Sequence, residues 1–254
     1  MRIICGLILL VIGAFSPAAW SACTVTLANA SLGTPTSIQV NTTAQQVQAN
    51  LTISCGGILS VLATNNISMQ YATAGTSASS RATLTNTVTG DVVPVRLCTA
   101  QNCANNSEVL VGGTYAWSGA TLAALFVSQT YTLPLYFMTV PGQQISAGNY
   151  QVSANIAITY TICQVLILCE TATNLPRTSQ VSMTVASDCL TITAPTVGFG
   201  SAPLVKSFPT ISQNIVVTCT KGSTYTIGIN NGSYPNGGVR YLSLIHISEP
   251  TRLA

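Results

Sequence analysis

Charge is nearly missing from this sequence. Of its 254 residues, 8 are Lys or Arg and 5 are Asp or Glu, where a soluble domain devotes about a quarter of its residues to those types. A net charge of +3 spread so thinly builds no basic stripe. That removes the electrostatic term on which nucleic-acid binding depends, and no nucleic-acid partner is expected. Histidine is confined to His246, and the acids are Asp91, Glu108, Glu170, Asp188 and Glu249. Without a nucleophile–base pair an enzyme is not expected. Without a His/Cys ligand set or a Cys-x-x-Cys pair, neither is a metal or other cofactor. Also missing is any apolar run of the roughly 20 residues that a membrane helix needs. In place of charge stand 25 Ser and 35 Thr, and 48% of the chain is hydrophobic, which excludes disorder. The composition is that of a binding or structural protein.

The two ends read differently from the body. Arg2, the apolar run Ile3 to Phe15 and the small residues of Pro17-Ala-Ala-Trp-Ser-Ala22 form an export signal, residues 1–21. Cleavage after Ser21, with Ala19 at −3, fits better than cleavage after Ala22, which places Trp20 at −3. A lipoprotein reading at Cys23 is disfavoured by Trp20, where an aliphatic residue is expected. From Ser243 the text becomes Ser-Leu-Ile-His-Ile-Ser-Glu-Pro-Thr-Arg-Leu-Ala, which breaks the Thr/Gly-rich pattern before it. Residues 243–254 read as a non-native tail, with an ordinary polar C-terminus as the alternative.

Of nine cysteines, Cys5 lies in the signal, leaving an even number in an exported chain and implying disulfides. Spacing narrows the pairings. Cys23 to Cys55 and Cys189 to Cys219 each open on an alternating strand (Thr24 to Leu27; Leu190 to Thr193) and close on a second (Val47 to Ile53; Ile215 to Thr218). This is one module used twice, with its first two strands stapled. Cys98 then pairs with Cys103, and Cys163 with Cys169, each closing a small loop.

Strand signals continue between the repeats. Thr83 to Val88 and Val92 to Leu97 flank Thr89-Gly90-Asp91 as a hairpin. Tyr131 to Thr139 and Tyr150 to Ile162 alternate or run apolar, and Pro134 marks an edge or a bulge. Helical periodicity is absent. Short strands with frequent turns predict an all-β sandwich. The boundary falls near Val185 to Asp188, giving domains at 22–186 and 187–242. By the repeat, the second is incomplete.

Tyr131-Thr-Leu-Pro-Leu-Tyr136, Pro141-Gly-Gln-Gln144 and Gly148-Asn-Tyr150 with its alternating strand resemble the spore coat protein U domain. Cys189, Gly198-Phe-Gly200, Pro203, Cys219, Tyr225-Thr-Ile-Gly-Ile229 and Gly232 resemble the opening half of the same domain. Two such domains behind a signal resemble the tip adhesin of archaic chaperone–usher pili. The resemblance implies immunoglobulin-like sandwiches, the second lacking its closing strands. It implies a periplasmic pilus chaperone, an outer-membrane usher and a next pilin subunit as partners, with donor-strand addition as the joint. It also implies export to the periplasm and display on the cell surface at the pilus tip. Polymerising pilins donate an alternating N-terminal segment, whereas here Cys23 opens the first strand directly.

Three apolar runs are candidate binding elements: Ile58, Leu59, Val61 and Leu62; Leu122, Leu125 and Phe126; and Val165, Leu166, Ile167 and Leu168. Runs of this length also serve as core strands. Exposed on a secreted domain they form a binding surface. The family resemblance implies hydrophobic finger loops that attach to hydrophobic or abiotic surfaces. A structural shaft or coat subunit is the first alternative and a carbohydrate-binding secreted domain the second. Tyr115 and Trp117 could stack on a sugar, although core packing suits a lone aromatic pair better. Arg81, Arg96 and Arg177 read as solvated strand-end charges.

Overall fold

The computed structural model describes residues 23–56, 65–127, 130–165, 168–204, 207–228, 235–236 and 239–240. The chain divides into two units, Met1–Gly222 and Ser223–Ala254. In chain order the first holds β1 (Thr24–Leu27), β2 (Ala30–Ser31), β3 (Gln46–Ser54), β4 (Asn66–Ala74), β5 (Ser77–Ala78), β6 (Arg81–Thr85), β7 (Val92–Cys98) and β8 (Glu108–Val109). There follow β9 (Thr114–Ser118), β10 (Phe126–Val127), β11 (Thr130–Thr139), β12 (Gly148–Val165), β13 (Leu168–Val185), β14 (Cys189–Thr193) and β15 (Val216–Cys219). In the second unit β16 (Pro235–Asn236) pairs with β17 (Val239–Arg240).

Period-two alternation builds the sandwich. Ala49, Leu51 and Ile53 of β3, and Tyr131, Leu133, Leu135 and Phe137 of β11, turn inward. From the other side come Ile67, Met69 and Tyr71 of β4 with Ile156, Ile158 and Tyr160 of β12, all in one buried cluster. Hydrogen bonding runs β1–β3–β11–β7–β6–β12–β13–β2, with β4 between β12 and β9. A single pair, Thr85 with Gln151, joins β6 to β12. There the sheet folds over on itself, and the two faces close on the shared core. The result is an immunoglobulin-like all-β fold. Pro134 is locally at an edge: it pairs with Asn50 of β3, while β7 reaches only Tyr136 to Thr139 of β11.

The hairpin expected at 83–97 is β6–β7. Its turn is held by Asn86, whose side-chain oxygen accepts the Val88 N–H at 2.9 Å. Gly148 opens β12 with φ +134°, and a Cβ there would come within 2.7 Å of Asn86 Nδ2. Two positions on, the buried Tyr150 hydroxyl donates to the Ser146 carbonyl at 2.8 Å. The Gly-Asn-Tyr motif is thus a packing requirement of this corner.

Several expectations are corrected. Among the described residues two six-residue α-helices form, α1 (Ser37–Thr42) and α2 (Gly119–Ala124), beside a kinked 3-10 segment at Gln101–Asn106. A capping box starts α1, with Thr36 Oγ1 accepting the Gln39 N–H at 3.2 Å and Gln39 Oε1 accepting the Thr36 N–H at 2.9 Å. The arginines are not solvated ends. Arg81 and Arg96 grip Glu108 from both sides at 2.6 and 2.9 Å, holding its carboxyl below the usual range. Arg177 donates to the Val25 carbonyl at 2.8 Å. The preferred core reading holds for Trp117, which is buried with its ring edge-on to Tyr115 at 4.9 Å.

Four disulfides form: Cys23–Cys55, Cys98–Cys103, Cys163–Cys169 and Cys189–Cys219. Among the described residues no helix is long and apolar enough to cross a membrane.

Candidate functional site

The registers gather the bases of the three apolar runs at one end of the sandwich. The last residue of β3, Ser54, pairs with both Thr24 and Thr130. The first residue of β4, Asn66, pairs with both Thr161 and Ser118. The β12–β13 ladder closes on Val165 with Leu168. At the far end of the same ladder Gly148 faces Val185. The three bases therefore lie opposite the point where the chain leaves the sandwich for β14.

Polar bonds tie these bases together. The buried Asn65 amide donates to the Tyr131 hydroxyl at 2.8 Å and accepts the Cys163 N–H at 2.9 Å, joining the entry of β4 to β11 and β12. Glu170 accepts the Tyr160 hydroxyl at 2.9 Å, and both its oxygens lie 2.9 Å from the Cys23 nitrogen. Burial, then the neighbouring Glu170 carboxylate, push the Tyr160 phenol up to about 12. Burial raises Tyr131 as well, with the Asn65 hydrogen bond opposing it. Both phenols stay protonated at physiological pH. Cys23–Cys55 and Cys163–Cys169 add covalent ties at this end.

The candidate apolar residues separate on inspection. Ile58, Leu59, Val61, Leu62, Leu166 and Ile167 lie outside the described residues. Val165 and Leu168 form the last described pair of the β12–β13 ladder, next to the Cys163–Cys169 disulfide. Leu122 is corrected. At 2% exposure it belongs to the core, because the run from 121 coils into α2 and turns that side chain inward instead of projecting it. Leu125 and Phe126 are half-buried against the same core, with the Phe126 ring 5.0 Å from Tyr131. Asn65 and Glu170, which organise this end, were not singled out from the sequence. Their signal is faint: each is a polar residue beside an apolar run.

The opposite end is built from charge and hydroxyls. Lys221 pairs with Asp91, and Asp91 Oδ2 accepts the Ser146 N–H at 2.8 Å. These bonds, Lys221 first, hold the Asp91 carboxyl down at about 2. Ser37 and Thr220 share a buried hydroxyl bond of 2.7 Å. A cleft of about 350 Å³ lies here, lined by Ser37, Asn41, Gln144 and Lys221 among others. Among the described residues no three His, Cys, Asp or Glu side chains cluster as metal donors.

The family model described as Spore Coat Protein U domain matches residues 11–157 and 175–250. The chain belongs to this family. Its fold resembles the CsuC–CsuE chaperone–tip adhesion subunit pre-assembly complex from the archaic chaperone–usher Csu pili of Acinetobacter baumannii. That likeness has a TM-score of 0.52 at 21% identity and covers 80% of this chain and 72% of the other. The CupB6 tip adhesin from Pseudomonas aeruginosa is similar over 65% of this chain and 42% of its own, at 13% identity and a TM-score of 0.35. A search of curated proteins found no match. Both of these solved neighbours are named as tip adhesins or tip adhesion subunits, one of them from chaperone–usher pili.

Proposed function

We propose that this chain is a pilus-tip adhesin that attaches cells to hydrophobic or abiotic surfaces through apolar side chains at the end of the first domain, residues 22–186. The observation that carries this reading is the gathering of the bases of all three apolar runs at one end, opposite Val185. The binding set is then Ile58, Leu59, Val61, Leu62, Val165, Leu166, Ile167 and Leu168, flanked by Leu125 and Phe126 and without Leu122. Each such side chain removed from water contributes about 1.5–3 kcal/mol when fully buried, and many tips on one cell multiply weak contacts by avidity.

Assembly follows from the other end. Val197, Phe199, Leu204, Phe208, Ile215 and Val216 are exposed. An uncovered apolar face beside open strand edges calls for a donated strand, first from a periplasmic chaperone and then, at the usher, from the next pilin. β1, from Thr24, is paired within the chain to β3 rather than extended as a donor, which supports a place for this subunit at the end of the fibre.

Replacing Leu166, Ile167 and Leu168 by Ser in the complete protein, produced with its chaperone and usher, tests the reading. Secretion should be unchanged and attachment to polystyrene lost. Retention or degradation in the periplasm would assign these residues to the core. Immunogold label along the fibre instead of at its end would favour the shaft-subunit alternative.

A further inference from the structure

Two strand edges face each other at one seam of the first domain. β1 pairs with β3 on one side only, and β13, laddered to β12, meets β2 on its other side only at Val181 and Ser182. Among the described residues no strand pairs with the outer side of β13 from Cys169 to Thr178, nor with that of β1. Side chains span the gap instead. The Glu170 carboxylate shares the single Cys23 N–H between its two oxygens, 2.9 Å from each. Arg177 Nε donates to the Val25 carbonyl at 2.8 Å, and Ser179 Oγ to the Ala28 carbonyl at 2.8 Å. The Gln180 N–H donates to Asn29 Oδ1 at 2.9 Å, just before the ladder with β2 begins.

The residues along this edge are of the kinds that discourage strand addition. Glu170 and Arg177 stand in the inward-facing row of β13, which continues as Ser179, Val181, Met183 and Val185 in the core. Between them Ala172 and Leu175 are only partly covered. Inward-pointing charge, a bulge and a proline each keep an edge from pairing with another chain. All three occur here: Glu170 and Arg177, the irregularity at Asn174 with φ +53°, and Pro176. Gln180, Ser182 and Thr184, in step with Pro176, turn their backbone groups outward, so the N–H that proline lacks is missing from this edge. Charge is scarce in this chain, 8 Lys or Arg and 5 Asp or Glu in all, yet one of each sign stands here.

We propose that the outer edge of β13 from Cys169 to Thr178 is a strand-addition surface held shut by Glu170 and Arg177, and that the partner it is shut against is the same edge of a second copy of this chain. An added strand must lie about 4.8 Å from β13, in the space that the two side chains cross. It would take the Cys23 N–H from Glu170 and the Val25 carbonyl from Arg177. A half-buried carboxylate would keep only the Tyr160 hydroxyl, and the guanidinium only the Pro176 carbonyl. A second copy fits the edge because a two-fold pair satisfies both edges at once. A net charge of +3 over the whole chain also sets little repulsion between copies. Attachment to surfaces and association of copies are separate measurements, so this inference and the adhesive reading can fail independently.

The full-length protein, produced with its chaperone, is compared with the Glu170→Ala/Arg177→Ala variant by sedimentation over a concentration series. Hydrogen exchange at the outward amides of Thr171 and Thr178 locates any contact. In the parent these amides should exchange at the same rate at every concentration. A hydrogen bond to a charged group weighs roughly tenfold or more in an equilibrium, so losing two should tighten association by about a hundredfold. Exchange at Thr171 and Thr178 should then slow as the variant is concentrated. A folded variant that associates no more than the parent, or a parent that already covers this edge in a dimer, would overturn the proposal. If the double variant is degraded, Pro176→Thr decides, because it returns an N–H to the edge and leaves both charged side chains in place. Slowing of exchange with concentration in that variant supports the guarded edge, and its absence overturns it.

Discussion

The strand pairs β1–β3 and β14–β15 each carry a disulfide, Cys23–Cys55 and Cys189–Cys219, with Cα atoms 4.0 Å apart in both. Yet among the described residues only the first pair is covered. In β3, Leu51 is fully buried in the core cluster, whereas its counterpart before the second closing cysteine, Ile215, is 41% exposed and Val216 of β15 is 56% exposed. The same local sequence pattern makes the same stapled pair in both places. What differs is the supply of neighbouring strands. A stapled strand pair is therefore a starting module whose apolar face gains its stabilisation from other strands, supplied in the first domain by the same chain.

The largest expected effect breaks this contrast directly. Leu51→Ala should cost about 2–5 kcal/mol through lost burial and an unfilled cavity, while Val216→Ala should stay within about 0.5 kcal/mol. Urea unfolding of the full chain, followed by Trp117 fluorescence, reads both, and a comparable loss from each would mean that β15 is already covered. Next, replacing Cys23 and Cys55 by Ser removes the tie across a 32-residue separation and should cost roughly 3–4 kcal/mol. The same change at Cys189 and Cys219 should leave the main transition in place.

Smaller is Asn65→Ala, which strips a partner from both the Tyr131 hydroxyl and the Cys163 amide. A loss of about 1–3 kcal/mol is expected, with faster hydrogen exchange at Cys163; unchanged exchange there would place the tie between the loop bases elsewhere. The smallest effect concerns Asp91. Its folded value of about 2 lies below the unfolded carboxylate value of about 3.9, so its pairing contributes stability above the unfolded value. That contribution is lost as pH falls through the folded value. Asp91→Asn should flatten the urea midpoint between about pH 4 and 2, and added salt should weaken the parent alone.

The sandwich was legible because its strands are amphipathic: Leu51, Leu133 and Ile156 each sit in a period-two row. The repeat was legible through its cysteines. Short helices escaped because six residues carry fewer than two turns of periodicity, although the Thr36/Gln39 pair that starts α1 was readable as a capping box. Leu122 was misread because an apolar run is the same text whether it loops outward or coils against a core. Asn65 and Glu170 were missed for a different reason. Their partners lie 98 and 147 residues away in sequence, so only the fold brings Cys163 to one and Cys23 to the other.

The β12–β13 ribbon has a mechanical consequence. β13 runs through 18 residues with one irregularity at Asn174, roughly 60 Å at the rise of an extended strand, from Leu168 at the loop end to Val185 at the exit toward β14. Tension applied between those points stretches one strand end to end. It loads the ladder with β12 in shear, where many hydrogen bonds resist at once, instead of peeling them open one by one. The Cys163–Cys169 bond clamps the ribbon at the pulled end, so unzipping cannot begin there.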